Sequence, residues 1–206
     1  MARSKSSSQW LNEHFNDHYV QEAQKLGYRS RAAFKLEEIQ QKDKIIKPNS
    51  FVVDLGAAPG GWSQVVRQYI GKNGRIIALD ILEMDSLAQV DFIQGDFRDE
   101  SVYEKLMKKT ENQAVDLVLS DMAPNMSGVK VSDQAKGIYL VELAIDFADQ
   151  TLKPGGDLLM KVFQGAGFDQ VMQSLKQKYQ KVITRKPSAS RPRSPEVYLL
   201  AKGFKA

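Results

Sequence analysis

Four acidic side chains and one lysine stand at the ends of apolar runs, where a folded chain could use them for chemistry. The runs FVVDL, GRIIALD and AVDLVLSD contain Asp54, Asp80 and Asp121 near or at their ends, and VDFIQGDF places Asp96 just beyond a fourth run. A fifth run, GDLLMKVF, carries Lys161 close to its end. Carboxylates accept hydrogen bonds from ammonium, amine and hydroxyl groups or bind a metal, and a lysine amine can exchange protons or stabilise an anion. These residue types predict a site for a polar ligand at one edge of a sheet.

The order of the runs predicts the fold that would bring these residues together. Strand-like runs alternate with helical patterns from residue 51 to 185, and several runs are apolar throughout, which is typical of a parallel sheet covered by helices on both faces. The last two runs, KVITRK and EVYLLAKGF, have only a loop between them and should pair antiparallel. We therefore predict an α/β fold with a seven-stranded, mostly parallel sheet whose last strand is antiparallel.

Two helices are expected before the first strand, at 9–25 and at 30–43, with Ser30 as N-cap of the second. A length of 206 residues suggests one domain over 1–206, which we divide into a basic N-terminal helical extension (1–50) and a catalytic core (51–206). The absence of cysteine excludes disulfides, zinc-thiolate sites and a cysteine nucleophile. The first residues lack the apolar core of a signal peptide, and no apolar run approaches ~18 residues. We expect a cytoplasmic monomer that does not enter a membrane.

The net charge of +4 is unevenly distributed along the chain. Residues 1–50 carry nine Lys+Arg and six Asp+Glu, residues 51–180 carry thirteen and eighteen, and residues 181–206 carry seven and one. The two ends are thus basic and the middle is acidic. If the ends meet in space, they form a positive face of the kind that binds nucleic acid.

The glycine-rich loop after the first strand, DLGAAPGGWSQ, indicates which ligand binds. It lacks the G-x-G-x-x-G spacing of dinucleotide sites. Asp54 suits a ligand that carries an ammonium group, and the loop backbone from Gly56 onward suits its carboxylate and amine, which describes the methionine part of S-adenosylmethionine. Asp80 could accept hydrogen bonds from both hydroxyls of a ribose, and Asp96 from an adenine amine.

The stretch after Asp121 limits the atom that could be methylated. Enzymes that methylate exocyclic base amines have an aromatic residue here to stack on a flipped base, whereas this chain reads DMAPN. Methylation of a pyrimidine at carbon 5 needs a cysteine, and the chain has none. A ribose hydroxyl remains, and it needs a base and a positive field. Lys161 should lie beside Asp121, with Lys35 and Glu196 as candidates to complete the group.

Over nearly its whole length the chain resembles the FtsJ/RrmJ (RlmE) family of ribosomal RNA large-subunit methyltransferases. The segments that carry the resemblance are GYRSRAAFKLEEI, DLGAAPGGWSQ, LSDMAPNMSG, LLMKVFQG and SRPRSPEVYLLAKGF. The resemblance implies a Rossmann-like methyltransferase fold and methylation of a uridine 2′-hydroxyl in 23S rRNA of the large ribosomal subunit. It implies S-adenosyl-L-methionine as methyl donor, and we expect no metal because that donor is already activated.

The resemblance also implies roles for individual residues. Lys161 corresponds to the family's proton acceptor, in a catalytic group made of Lys35, Asp121, Lys161 and Glu196. The cofactor contacts implied are Gly60, Trp62, Asp80, Asp96 and Asp121. The reaction expected is an in-line displacement in which the ribose 2′-oxygen attacks the sulfonium methyl group, helped mainly by alignment and charge stabilisation.

The RNA is expected to contact arginines from both basic ends of the chain. The candidates are Arg29, Arg31, Arg191 and Arg193, with Arg185 and Lys186 nearby. Three other interpretations remain open: the same chemistry on transfer RNA or capped RNA, a non-catalytic RNA-binding ribosome assembly factor, and a nicotinamide oxidoreductase. Tyr28 and Trp10 could stack on bases or pack within the fold. His14 and His18 have a metal-like spacing but no third ligand, so surface contacts are favoured.

Overall fold

The computed structural model describes residues 17–110 and 113–205. Within these residues, helices and strands alternate as predicted. The helices are α1 (His18–Leu26), α2 (Ala32–Asp43), α3 (Gly61–Ile70), α4 (Glu100–Thr110), α5 (Lys130–Thr151) and α6 (Phe168–Lys178). The strands are β1 (Phe51–Leu55), β2 (Arg75–Asp80), β3 (Val90–Gln94), β4 (Val115–Ser120), β5 (Leu152–Phe163), β6 (Tyr179–Arg185) and β7 (Glu196–Phe204). Trp10 and His14 lie outside the described residues.

In the described chain, all seven strands form one sheet in the order β3-β2-β1-β4-β5-β7-β6. Neighbours from β3 to β5 are parallel, and β7 is antiparallel to both β5 and β6. The predicted fold class is therefore confirmed, including the antiparallel last strand, which follows β6 without a crossover helix. The strand order reverses between β1 and β4, which is where α/β sheets of this kind bind ligands.

Both faces of the sheet are covered, which explains why the central strands are apolar throughout. Along β1, Val52 packs with α2 and α3, whereas Val53 packs on the opposite side with α5 and α6. Alternate residues of one strand thus enter two different cores. Among the described residues, no helix is both long and apolar enough to cross a membrane.

The start of α2 differs from the expectation. The helix begins at Ala32, the preceding Arg31 provides no side-chain cap, and Ser30 contributes only its carbonyl oxygen, which accepts from Ala33 N–H at 3.2 Å. The Ser30 hydroxyl instead lies against Gly61 at the start of α3. The N-cap prediction for Ser30 is therefore wrong, because Ser30 serves the packing of α2 against α3. In α1, Asp17 is the N-cap and accepts from Tyr19 N–H at 3.0 Å.

Candidate active site

The glycine-rich loop joins β1 to α3 and lies tightly against the loop that follows β4. Gly56 has φ +78°, and a Cβ there would lie 2.8 Å from the backbone nitrogen of Met122. Asp121 N–H donates to the Leu55 carbonyl at 3.0 Å, which fixes the two strand exits to each other. Only glycine at position 56 allows this approach without strain. The predicted cofactor loop and the predicted catalytic acid are thus held in one rigid unit.

The first turn of α3 offers backbone donors toward this loop. Gly60 precedes the helix with φ +107°, and its carbonyl accepts from Gln64 N–H at 2.9 Å. The N–H groups of the first turn have no intrahelical acceptors, and the positive end of the helix dipole favours an anion there. A ligand carboxylate is well suited to this position.

Trp62 is almost fully buried, with 3% of its surface exposed. Its indole N–H donates to the Ala32 carbonyl at 2.8 Å, and its ring lies against Tyr198 with 5.6 Å between centroids. The side chain therefore holds α2 against α3 and supports the floor of the site. A contact from Trp62 to a cofactor would use its backbone N–H, and this contact stays a prediction.

Asp54 is completely buried beneath the glycine-rich loop. Ser63 Oγ donates to its Oδ2 at 2.7 Å, while its Oδ1 has no hydrogen-bond partner among the described residues. Burial raises the pKa of the Asp54 carboxyl to about 7, and the carboxylates of Asp121 and Asp80 add to this rise while Ser63 opposes it. An ammonium group supplied by a ligand would satisfy the bare oxygen and favour the ionised form. The contact of Asp54 to the amine of S-adenosylmethionine stays a prediction.

Asp80 lies between the glycine-rich loop and the exit of β2. Its Oδ2 accepts from Ala58 N–H at 2.9 Å and its Oδ1 from Leu82 N–H at 2.9 Å. Each oxygen keeps a further lone pair for a ligand hydroxyl. A cavity of about 640 Å³ opens beside it, lined in part by Pro59 and by Gln94, which is in register with Asp80. This volume is within the range of small-molecule sites.

Asp96 is bound by Arg98 rather than left open. Arg98 Nε donates to its Oδ1 at 2.9 Å and to its Oδ2 at 3.1 Å, and Arg98 N–H donates to Oδ1 at 3.0 Å. The Arg98 side chain and backbone hold the pKa of the Asp96 carboxyl below its usual value despite partial burial. An adenine amine would share this acceptor with Arg98.

The four residues predicted to be catalytic lie in two buried ion pairs. Lys161 Nζ lies 3.2 Å from Asp121 Oδ1 and also donates to the Asp121 backbone carbonyl. Lys35 Nζ donates to Glu196 Oε1 at 2.7 Å. All four side chains are at most 17% exposed. The structure thus brings together residues that are far apart in sequence, from α2, the β4 exit, β5 and β7.

Tyr198 connects the two ion pairs, and sequence reasoning missed it. Its hydroxyl donates to Asp121 Oδ1 at 2.8 Å and accepts from Lys35 Nζ at 3.2 Å. It is directly opposite Lys161 in the β5–β7 register. The sequence feature that could have identified Tyr198 is its position two residues after Glu196, since alternate residues of a strand share a face.

The charges of this network keep its donors and acceptors in fixed roles. Burial raises the pKa of Tyr198 well above its usual value, and Asp121 and Glu196 raise it further, so its hydroxyl remains a donor. For Glu196, burial alone would raise the pKa, but Lys35, Lys161 and Ser190 outweigh it and hold the pKa below the usual value. Glu196 is therefore ionised at neutral pH.

Two of the arginines proposed for RNA binding are engaged inside the chain. Arg29 donates to the carbonyls of Pro59, Asp85 and Ser86 at 3.3, 2.7 and 2.8 Å, and so links the glycine-rich loop to the segment after Asp80. Arg31 binds Asp17 and the Ala189 carbonyl. Tyr28 donates to Glu37 and contacts Phe34 edge-on. The contacts of these residues to RNA stay predictions.

Arg191 and Arg193 lie in the loop between β6 and β7, where Arg193 is exposed and Arg191 is half-buried. The loop is anchored to the active site because Ser190 Oγ donates to Glu196 Oε1 at 2.9 Å. Lys186 Nζ donates to the Ser194 and Glu196 carbonyls at 2.6 Å each. Arg185 forms a two-pronged pair with Asp43 of α2. The basic N-terminal and C-terminal segments thus meet beside the catalytic group.

Among residues 17–110 and 113–205, no cluster of three or more His, Cys, Asp or Glu could hold a metal ion. His18 is exposed and forms an i,i+4 pair with Glu22, with 3.3 Å between Nδ1 and Oε2.

Comparison with known proteins finds methyltransferases as relatives of this chain. The profile of the FtsJ-like methyltransferases matches residues 28–204. The chain is 59% identical over 206 residues, which is all of both chains, to "Ribosomal RNA large subunit methyltransferase E" of Hydrogenovibrio crunogenus. It is 58% identical to the protein of the same name from Pseudomonas aeruginosa, over 100% of this chain and 99% of that one.

Solved structures agree with this result. A Plasmodium falciparum protein assigned as a ribosomal RNA methyltransferase is 33% identical and superimposes with a TM-score of 0.74, over 86% of this chain and 98% of that one. A Streptococcus mutans protein assigned as a methyltransferase, in complex with SAH, is 15% identical with a TM-score of 0.50, over 78% of this chain and 90% of that one. The second likeness concerns the fold alone.

Proposed function

The chain belongs to the FtsJ-like methyltransferase family, and from this premise we propose that it transfers a methyl group from S-adenosylmethionine to the 2′-hydroxyl of a uridine in 23S rRNA. The observation that carries the proposal is the buried network of Lys35, Asp121, Lys161, Glu196 and Tyr198, which lies against the glycine-rich loop. Such a network suits deprotonation of a weakly acidic hydroxyl and does not suit stacking on a base.

The residues around the glycine-rich loop fit S-adenosylmethionine part by part. Asp54 would accept from its amine, the first turn of α3 after Gly60 would bind its carboxylate, and Asp80 and Asp96 would bind the ribose and adenine. When bound, this cofactor supplies a methyl group on a sulfonium, which is already activated for transfer. For that reason the proposal includes no metal.

Lys161 is the residue proposed to accept the proton of the ribose 2′-hydroxyl or to steer it away. Asp121 orients its amine through both a carboxylate and a carbonyl oxygen. Lys35 adds a second positive charge to the field around the developing alkoxide, and Glu196 holds Lys35 in place. Tyr198 fixes the distance between the two pairs.

The relatives and the surface around the site support 23S rRNA as the substrate. Relatives that match the full length of this chain are named ribosomal RNA large subunit methyltransferase E. Arg191 and Arg193 are carried by a loop bonded to Glu196, so phosphates bound there would lie beside the reacting ribose. We extend the proposal to an assembled large ribosomal subunit as substrate and to a cytoplasmic monomer as the working form.

Two alternatives make different predictions. A transfer RNA or capped RNA 2′-O-methyltransferase would use the same catalytic network, so only the substrate distinguishes it. A non-catalytic assembly factor would have no need for a buried lysine held by a carboxylate, and this chain retains both Lys161 and Asp121.

The test uses purified protein, tritiated S-adenosylmethionine and large subunits from cells that lack the enzyme, with the label located by nuclease digestion. We expect label in one 2′-O-methyluridine of the large-subunit RNA, and none with the Lys161→Ala variant. Label only on transfer RNA or capped RNA would mean that this other RNA, and not 23S rRNA, is the substrate. Tight cofactor binding with no label on any RNA would refute the catalytic proposal.

A further inference from the structure

A run of exposed apolar side chains follows the catalytic Asp121 and is not used by the proposed chemistry. Met126, Val129 and Val131 are 67%, 61% and 78% exposed. Isolated exposed apolar residues are common, but a contiguous group beside a binding cleft indicates contact with a partner. We call Met126, Val129 and Val131 the apolar rim.

The segment that carries the apolar rim is held in place rather than frayed. Asp133, in the first turn of α5, accepts from Ser127 N–H at 2.8 Å, Ser127 Oγ at 2.7 Å and Gly128 N–H at 3.0 Å. At the other end, Asp121 N–H is bonded to the Leu55 carbonyl. The turn is fixed at both ends, and the apolar side chains between them point outward.

Exposed side chains continue from the apolar rim along α5. Val131, Ala135 and Tyr139 are spaced four apart, which places them on one side of a helix, and all three are exposed. The exposed side chains therefore continue from the segment after Asp121 along one side of α5.

The two sides of the cleft differ in chemistry. On one side is the basic loop between β6 and β7, which is bonded to Glu196. On the other is the apolar rim, next to the exposed lysines Lys130 and Lys136. A single RNA strand has the same two chemistries, charged phosphates on one side and flat, weakly polar bases on the other.

We propose that the apolar rim binds the bases of single-stranded RNA that flank the methylated nucleotide. This inference rests on the proposed function, because it needs an RNA strand across the active site. The basic loop would hold phosphates, and the rim would shield the bases next to the target from restacking. Lys130 and Lys136 would contact the phosphates of the same flanking nucleotides. Apolar contact with bases is tolerant of sequence and releases no counterions.

The experiment compares Met126→Ser/Val129→Ser/Val131→Ser with wild type and with Leu26→Ser. Leu26 is a matched control because it is 61% exposed and lies at the end of α1, outside the apolar rim. Large ribosomal subunits from cells that lack the enzyme are titrated in a co-sedimentation binding assay at several salt concentrations. The affinity for S-adenosylmethionine and the oligomeric state are measured on the same proteins.

We expect the triple variant to bind these subunits about tenfold more weakly, in line with the loss of base contacts. The slope of log Kd against log salt should be unchanged, since no phosphate contact is removed. The affinity for S-adenosylmethionine and the behaviour of Leu26→Ser should stay within about twofold of wild type.

Three outcomes would overturn the inference. RNA affinity equal to wild type would mean that the apolar rim does not contact RNA. A loss confined to S-adenosylmethionine would assign the rim to the cofactor, and loss of a concentration-dependent dimer would assign it to self-association. If wild type itself neither binds nor methylates these subunits, then the proposed function has failed, and this result is distinct from the other three.

Discussion

Replacing Asp54 by Asn should remove a pH dependence from the stability of the ligand-free protein. Asp54 is fully buried, and its carboxyl titrates at about 7 in the folded chain, against about 3.9 in an unfolded one. Asn keeps the shape and can still accept from Ser63 Oγ, but it carries no charge at any pH. The substitution therefore isolates how much the ionisation of one buried carboxyl lowers the free energy of unfolding.

The sign and size of the effect follow from proton linkage. Below about pH 4 the carboxyl is protonated in both states, so it contributes no penalty. Between about pH 4 and 7 only the unfolded chain ionises it, and the free energy of unfolding falls by roughly 1.4 kcal/mol per pH unit. Above about pH 7 both states are ionised and the loss levels off. From pH 5 to pH 8, the free energy of unfolding of wild type should fall by about 3 kcal/mol because of this group, and that of Asp54→Asn should not show this fall.

Urea unfolding of both proteins at pH 5, 6, 7 and 8 measures this difference. The quantity to follow is the free energy of unfolding of Asp54→Asn minus that of wild type, because any constant effect of the amide cancels from its pH dependence. Asp99→Asn, on the surface, controls for the loss of one negative charge. If this difference in the free energy of unfolding stays constant across these pH values, the raised pKa assigned to the buried Asp54 carboxyl is refuted.

The same residue links protons to cofactor binding. If the ligand ammonium pairs with ionised Asp54, wild type should bind S-adenosylmethionine more tightly as pH rises toward 7, and Asp54→Asn should bind it weakly with no such trend. Calorimetry at two pH values distinguishes the cases. An Asp54→Asn variant with wild-type affinity at pH 8 would remove Asp54 from the cofactor site.

Four further predictions concern the catalytic network and the arginines. Lys161→Ala should slow single-turnover methylation by at least ~100-fold while the Kd for S-adenosylmethionine stays within about twofold; a lost cofactor affinity would reassign its role. Tyr198→Phe preserves packing but removes the hydroxyl that joins Asp121 to Lys35, so methylation should slow by about tenfold at saturating substrates; an unchanged rate would make Tyr198 a packing residue only. Arg29→Ala should raise the KM for S-adenosylmethionine by about tenfold and leave RNA affinity unchanged, because its three backbone acceptors lie in the cofactor loops; the reverse pattern would restore it to the RNA surface. Arg191→Glu with Arg193→Glu should weaken RNA binding and reduce the salt slope by up to about 2, and an unchanged slope in filter binding would mean that the loop does not contact phosphates.

The sequence predicts the fold well where local signals agree with one another. The bounds of β1 and β7 match the runs FVVDL and EVYLLAKGF because glycines or turn residues lie close to them. The proximity of Lys161 to Asp121 is also predicted, since charged residues near the ends of neighbouring apolar strands have few structural reasons to be there. From the residues alone, Lys35 and Glu196 are candidates only, and the family resemblance implies the complete group.

Other features depend on partners that no local pattern reveals. Tyr198 looks like an ordinary aromatic residue of a buried strand until the β5–β7 register places it opposite Lys161. Arg29 has the charge expected of an RNA contact, but the carbonyls that it binds belong to residues 59, 85 and 86, which come near it only in the folded chain. Ser30 has the residue type of a helix cap, yet the close approach of α2 to Gly61 uses it for packing.

The position of β7 has a consequence for how the protein is made. β7 is the last strand of the described chain to be synthesised, yet it lies inside the sheet, between β5 and β6. Until β7 has emerged from the translating ribosome, β5 has an open edge, Lys35 lacks Glu196 and Asp121 lacks Tyr198. The network of Lys35, Asp121, Lys161, Glu196 and Tyr198 therefore forms only after β7 has been synthesised, and a nascent chain that already contains the glycine-rich loop still lacks it.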